Sequence, residues 1–351
     1  MAVSGADAVR RKFHTLDMLR GVAALSVVGR HLGGVWLQLL PGSHLAVDLF
    51  FALSGFVLAN AYAGRLAAGM GARMFMGIRL RRLYPLYLLG AAIGIGFACI
   101  ARSGRPPDAG VIDWAGAVLL SFAFVPAPFF NGFHLFPFNS PSWSLLWELV
   151  VNAVYAVVAR RLSGAWLIAG LLVGAGLVIL SAWQFGGLDS GSNVRNWWGG
   201  PERVGYSFLA GIAAHRLWAA DRLRWLRLPP LAAALLLVAI FALRPPGSAP
   251  VYDATIALVA FPLLVLAATV EPKSRFWQGI FGQLGVASFA VYALHYPLIK
   301  FEAAAVLKLG DLSVATRWAI ETAFVGLVLI AALAADRWYD KPVRAWLGRR
   351  R

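Results

Sequence analysis

The sequence predicts an all-α fold, a polytopic membrane bundle of about ten transmembrane helices with both termini cytoplasmic. Three observations predict it. Of 351 residues, 60% are hydrophobic and only 14% charged, with a mean hydropathy of +0.70. One soluble core cannot bury that much apolar surface. The apolar residues gather in runs of roughly 20, the length that crosses a bilayer. Basic residues then concentrate in alternate loops, as the positive-inside pattern requires. The 14 Trp suit the aromatic belts at both interfaces, and the lone Cys99 permits no internal disulfide.

Spans are read at 16–40, 45–64, 82–101, 142–159, 164–184, 204–220, 228–243, 251–270, 277–299 and 315–336. With the first entering from the cytoplasm, the inner loops and tails hold Arg10, Arg11 and Lys12, Arg65, Arg73, Arg79, Arg81 and Arg82, Arg216, Lys273, Arg275 and Arg337. They also hold Arg160 and Arg161, Arg222, Arg224 and Arg227, Lys341 and Arg344, and Arg349 to Arg351. The outer side holds far fewer, among them Arg102, Arg105, Arg195, Arg203, Arg244, Lys300 and Arg317. An eleventh apolar stretch, 112–130, contains Pro126 and Pro128. A full crossing there would invert every later loop, so it is placed at the outer surface. No cleavable signal peptide or internal repeat is read. A single membrane domain over 1–351 is expected, with an inner tail at 1–15 and a basic one at 337–351. A net charge of +16 suits anionic headgroups or a phosphorylated ligand. No nucleic-acid-binding module is present in the sequence.

Three polar clusters interrupt the apolar pattern. Arg20 and His31 stand 11 residues apart in the first span, which puts them within about 20° on one helical face and roughly 16 Å apart along the axis. Arginine at a span end is commonly a snorkelling anchor and a lone His a packing residue, but a shared face inside a membrane points to a polar cavity. Arg79 and Arg82, three apart where a basic loop meets the third span, satisfy topology or bind a polyanion from the cytoplasm through bidentate guanidinium contacts. Trp143, Ser144 and Glu148 open the fourth span, with Ser144 and Glu148 on one face. Glu148 is read as a structural ion pair, with Arg30 as one partner, as the carboxylate that orients and polarises His31, or as one that meets an incoming hydroxyl from the outer side.

The order and spacing of these segments resemble the integral-membrane acyltransferase-3 family across Leu16 to Arg344. The resemblance rests on Leu16-Asp17-x-x-Arg20 with His31 following, and on the run Val47-Asp48-Leu49-Phe50-Phe51 through Ser54-Gly55-Phe56. It continues in Arg79-x-x-Arg82 before Tyr84-Pro85, Trp143-Ser144-x-x-x-Glu148, Tyr292-Ala293-Leu294-His295-Tyr296-Pro297 and Lys341-Pro342-x-Arg344. It implies a transmembrane O-acyltransferase of a bacterial inner membrane. Such an enzyme moves an acyl group, acetyl above all, from cytoplasmic acyl-CoA to a hydroxyl of an extracytoplasmic glycan or glycolipid. Acetyl-CoA is then a substrate, and no metal is expected. Arg20, Arg79 and Arg82 would hold the donor phosphates. His31 would act as general base or acyl carrier, with Glu148 fixing its tautomer.

Two positions depart from the family pattern. Asp340 replaces the usual Glu before Lys341-Pro342, and Arg30 occupies a place expected to be uncharged, where it is either specific to the acceptor or paired with Asp48 or Glu148. Asp48, Ser54, Trp143, Ser144, Tyr292 and His295 are acceptor or structural candidates. At Ser54-Gly55, close helix packing competes with chemistry. His14, His44, His134 and His215 lack metal-ligand spacing. Two other classes compete: a secondary transporter of an organic anion, since buried Arg, His and Glu also build transport sites, and a non-catalytic partner in glycan export.

Overall fold

The computed structural model describes residues 12–101 and 110–349. Arg10, Arg11, Arg102, Arg105, Arg350 and Arg351, and with them parts of both expected tails, lie outside the described residues. The described chain is helical, with no strand among the described residues. In order come α1 (His14–Leu32), the short α2 (Val35–Leu39), α3 (Ala46–Ala67), α4 (Ala72–Ala101), α5 (Val111–Phe122), α6 (Ser142–Val158) and α7 (Gly164–Phe185). They are followed by α8 (Gly199–Ala219), α9 (Pro230–Ala242), α10 (Ala249–Thr255), α11 (Phe261–Ala267), α12 (Arg275–Leu309), α13 (Val314–Ala335) and α14 (Lys341–Arg349). A π-turn, Ile256–Ala260, joins α10 to α11, and another, Asp336–Asp340, joins α13 to α14.

Six helical stretches are long and apolar enough to cross a membrane by length and composition: Ser43–Ala67, Ala72–Ile100, Gly164–Phe185, Pro246–Ala267, Arg275–Leu309 and Val314–Arg349. This is a multi-pass membrane protein. The 112–130 stretch becomes α5, only 12 residues long. At 1.5 Å per residue that is about 18 Å, and a single 3₁₀ turn, Pro128–Phe130, follows it.

Several expected boundaries move. The first span ends at Leu32, because Gly33 takes the left-handed conformation (φ 72°) and turns the chain into α2. The Glu321 carboxylate accepts the Val35 N–H at 3.1 Å, so the turn is tied to α13. The third helix begins at Ala72 rather than 82, which brings Arg79 and Arg82 inside a helix. The sixth begins at Gly199 rather than 204, which moves Arg203 from an outer loop into the buried interior.

α1 lies along α12, and α3 along α8. The second contact is close because Gly55 and Gly211 are small: a Cβ on Gly55 would sit 2.1 Å from the Phe208 carbonyl, and one on Gly211 2.0 Å from that of Ala52. Helix ends gather at two faces. At the face of His14, Glu271 before α12 accepts from the His14 ring and backbone, and Thr15 donates to the Val270 carbonyl. At the opposite face, beyond His31, Gly42 donates to the Phe241 carbonyl at the end of α9.

Candidate active site

A cavity of about 820 Å³ opens among α1, α3, α4, α6 and α12. Its size falls within the usual range for small-molecule and cofactor sites. Arg20 and Asp17 from α1, Arg79, Arg81 and Arg82 from α4, and Arg344 from α14 line one part, together with Lys12 and His14. Ser54, Glu148, Ser144 and Tyr292 line another. The α4 geometry explains the arginine set, since Arg79 and Arg82 at i and i+3 share a face of an uninterrupted helix.

The cations outnumber the carboxylates that answer them. Arg79 donates to Glu148 Oε1 at 2.9 Å. Arg20 has only Asp17, 3.9 Å away, and Arg344 is held by Asp340 at 2.7 Å. Arg82 is exposed and has no carboxylate partner among the described residues. Guanidinium groups in such surplus offer donors whose geometry suits an anion.

Glu148 is not beside His31. Its Oε1 accepts from Arg79 and from Ser54 Oγ at 3.1 Å, so the expected tautomer-fixing contact is replaced by a cavity-wall ion pair. Nor does Arg30 meet Asp48 or Glu148: it reaches Asp189, at 2.6 Å, in the loop after α7. Asp48 instead pairs with Arg203 at 2.6 and 3.1 Å. At the Ser54-Gly55 step, Gly55 admits α8 and Ser54 lines the cavity.

Beyond the cavity stands an imidazole pair. Tyr292, on the cavity wall, shares a 2.6 Å hydrogen bond with Ser144 and lies one turn below His295 on α12. The His295 and Tyr292 ring centroids are 5.7 Å apart. His295 Nε2 is 3.2 Å from His31 Nδ1, and Tyr296 packs edge-on against His31. His31 is half-buried while His295 is fully buried. Trp143 stands apart from the imidazoles, stacked over the Arg203 guanidinium at 5.6 Å.

The remaining histidines have other partners: His14 with Glu271, His44 with Asp253, His134 with Ser140, and His215 against Phe56 and Trp218. His134 lies in a loop, where burial, helped by the Lys300 ammonium, pushes its ring below the ordinary imidazole value. No group of three His, Cys, Asp or Glu among the described residues is arranged to hold a metal.

The profile of a family described as an acyltransferase domain matches residues 13–337, nearly the whole chain. The chain belongs to the acyltransferase-3 family. It is an acyltransferase, and its relatives include named O-acetyltransferases. It is 26% identical to the acyltransferase MdmB of Streptomyces mycarofaciens, over 96% of this chain and 93% of that one. It is 23% identical to the peptidoglycan O-acetyltransferase OatA of Listeria monocytogenes, over 83% of this chain but only 50% of that protein. A product of Rhizobium radiobacter, protein 2 in the picA locus, is 42% identical over 50% of this chain and 96% of its own length. The chain thus spans about half the length of the Listeria relative. No solved structure matches.

Two features of this candidate site are not legible in the sequence. Arg344 was legible as a motif, but its place on the cavity wall depends on α14 folding back to α4. The contact between His31 and His295 joins residues 264 apart, and only the Tyr-x-x-His spacing on one helix face hinted that His295 looks inward.

Proposed function

We propose that this acyltransferase carries an acyl group, acetyl above all, from acyl-CoA entering at the His14 face to a glycan hydroxyl arriving at the His31 face. The single observation that supports it most is the cavity itself, with excess arginine charge in one part and Tyr292, neighbour of the imidazole pair, in another. The phosphates of the donor dock on Arg20, Arg82 and Arg79, while the thioester arm extends past Ser54 and Glu148 toward Ser144 and Tyr292. Glu148 and Ser54 hold the Arg79 guanidinium in place. His31 is the general base: it takes the proton of the acceptor hydroxyl as the oxygen attacks the thioester carbon. The C–O bond forms, the C–S bond breaks, and the proton passes to the departing thiolate.

The relatives named as O-acetyltransferases support a glycan acceptor, and the basic inner loops support ten crossings with both termini in the cytoplasm of a bacterial inner membrane. The match to an acyltransferase family over nearly the whole chain favours this reading over anion transport. Release of CoA from acetyl-CoA by the protein in lipid nanodiscs, with a glycan extract present, tests it. His31→Ala abolishes release in a protein that still binds donor, whereas Arg82→Ala raises the donor KM. A folded His31→Ala enzyme with full activity removes the proposal.

A further inference from the structure

We infer that His295 is a positioning residue for His31, one that orients its ring and, by accepting its Nδ1–H hydrogen bond, stabilises the charge that develops on it. The inference rests on the reading of His31 as the base and adds what orients it. The partners assign the protons. His295 Nδ1 faces two carbonyls of its own helix, Tyr292 O at 2.8 Å and Val291 O at 3.1 Å. A carbonyl only accepts, so Nδ1 carries the hydrogen and, in the neutral ring, Nε2 carries the lone pair. That lone pair points at His31 Nδ1, 3.2 Å away, which also faces the Val27 carbonyl at 2.9 Å. His31 Nδ1 therefore holds the hydrogen and shares it between two acceptors.

The consequence is chemical. With its hydrogen on Nδ1, neutral His31 has its lone pair on Nε2, and no hydrogen bond engages that atom among the described residues. The half-buried ring presents an unoccupied base. When Nε2 takes the acceptor proton, His31 becomes a cation and its Nδ1–H bond to His295 becomes charge-assisted, stronger in the transition state than before it. The electron pair of the hydroxyl oxygen goes to the acyl carbon, and the proton on Nε2 later leaves with the thiolate. His295 neither gains nor loses a proton, because its Nδ1–H is turned into its own helix.

The fold holds His295 firmly enough for this role. It is fully buried on α12, the helix that α1 packs along. Pro297 contributes no N–H to the Ala293 carbonyl, which instead accepts from the Asn139 side chain at 2.9 Å. The helix is thus pinned within a turn of His295. At the other end, Gly33 and the Glu321 contact to Val35 fix where α1 stops beyond His31.

Four variants in lipid nanodiscs test this, with acetyl-CoA as donor and a glycan extract as acceptor: His31→Ala, His295→Phe, His295→Gln and the double variant His31→Ala/His295→Phe. The Gln side chain keeps an accepting oxygen where Nε2 stands, and Phe keeps only the ring. His295→Phe lowers kcat about 100-fold, the scale of losing one hydrogen-bond partner of transition-state charge, with donor KM within about twofold of the parent. His295→Gln recovers at least about tenfold of that loss, and the double variant is no slower than His31→Ala alone, as for residues that act as a unit. Should the Phe variant fail to fold, His295→Leu against His295→Gln makes the same comparison. An inactive His31→Ala beside a His295→Phe enzyme within about threefold of the parent overturns this inference and leaves His31 as base. Equal loss in the Gln and Phe variants overturns it too. An active His31→Ala enzyme overturns the proposed function itself.

Discussion

Two regions of this acyltransferase are rich in charge, and they use it in opposite ways. At the His31 face, a buried network joins α3, α8, α10 and the loop before α8. Arg203, 1% exposed, donates to both oxygens of Asp48, to the Ser190 carbonyl at 2.7 Å and to the His44 carbonyl at 3.2 Å. Asp253, fully buried, accepts from Arg244 at 2.7 and 3.0 Å, from the Leu188 N–H at 2.9 Å, and meets His44 at 2.8 Å. Each guanidinium there has its carboxylate. In the cavity on the His14 side, Arg82 has none and Arg20 has only a distant one. Charge that is paired and dry holds helices together, whereas charge that is unpaired in a cavity waits for an anion.

The sharpest way to break this comparison is to remove one member of each set. Arg203→Met leaves Asp48 as a buried charge without its partner, at a cost of about 3–5 kcal/mol. The expected result is a protein that loses its fold in detergent at ambient temperature, read by thermal unfolding. Replacing both partners, as Arg203→Met with Asp48→Leu, restores most of that stability. A single variant as stable as the parent would mean that the network is no clamp.

Arg82→Ala should do the reverse. Losing a charged contact to phosphate, worth about 1.5–3 kcal/mol, raises the donor KM by roughly 10- to 100-fold while the melting temperature stays put. Steady-state kinetics beside a thermal scan separate the two. Unchanged KM would take Arg82 out of the donor site.

Gly55→Ala probes the packing between the two regions. The added methyl meets the Phe208 carbonyl, so α3 and α8 must part, and the expected loss is about 1–3 kcal/mol of stability. If both regions depend on that contact, donor KM and melting temperature worsen together. The smallest effect belongs to Arg30→Gln. Its partner Asp189 is 67% exposed, and the pair belongs with surface ion pairs worth about 0–1 kcal/mol. A large loss there would place Arg30 in the acceptor path.

The comparison also shows which features a sequence reading recovers. Arg20, Arg79 and Arg82 were found because a guanidinium at fixed helical spacing is visible in one dimension. The start of α4 at Ala72 was not, since Arg73, Arg79, Arg81 and Arg82 read as a loop by charge until the helix is seen to project from the apolar interior. The same rule misplaced Arg203, a loop residue by topology and the most enclosed guanidinium by structure among the described residues. Glu148 was correctly located on the fourth long apolar helix, yet its partner was misassigned. The choice between Arg79, 69 residues away, and His31, 117 away, depends on how α4 and α6 cross.

By itself the sequence determined a helical membrane protein, the boundaries of most of its apolar helices to within a few residues, and the family. These follow from composition, period and short-range spacing, which are properties of one segment at a time. Only the tertiary structure decided that Glu148 holds Arg79, that Asp48 answers Arg203 and that His31 faces His295. Partner choice among buried polar groups minimises unpaired charge over the whole packed interior, and packing joins residues that no local pattern connects.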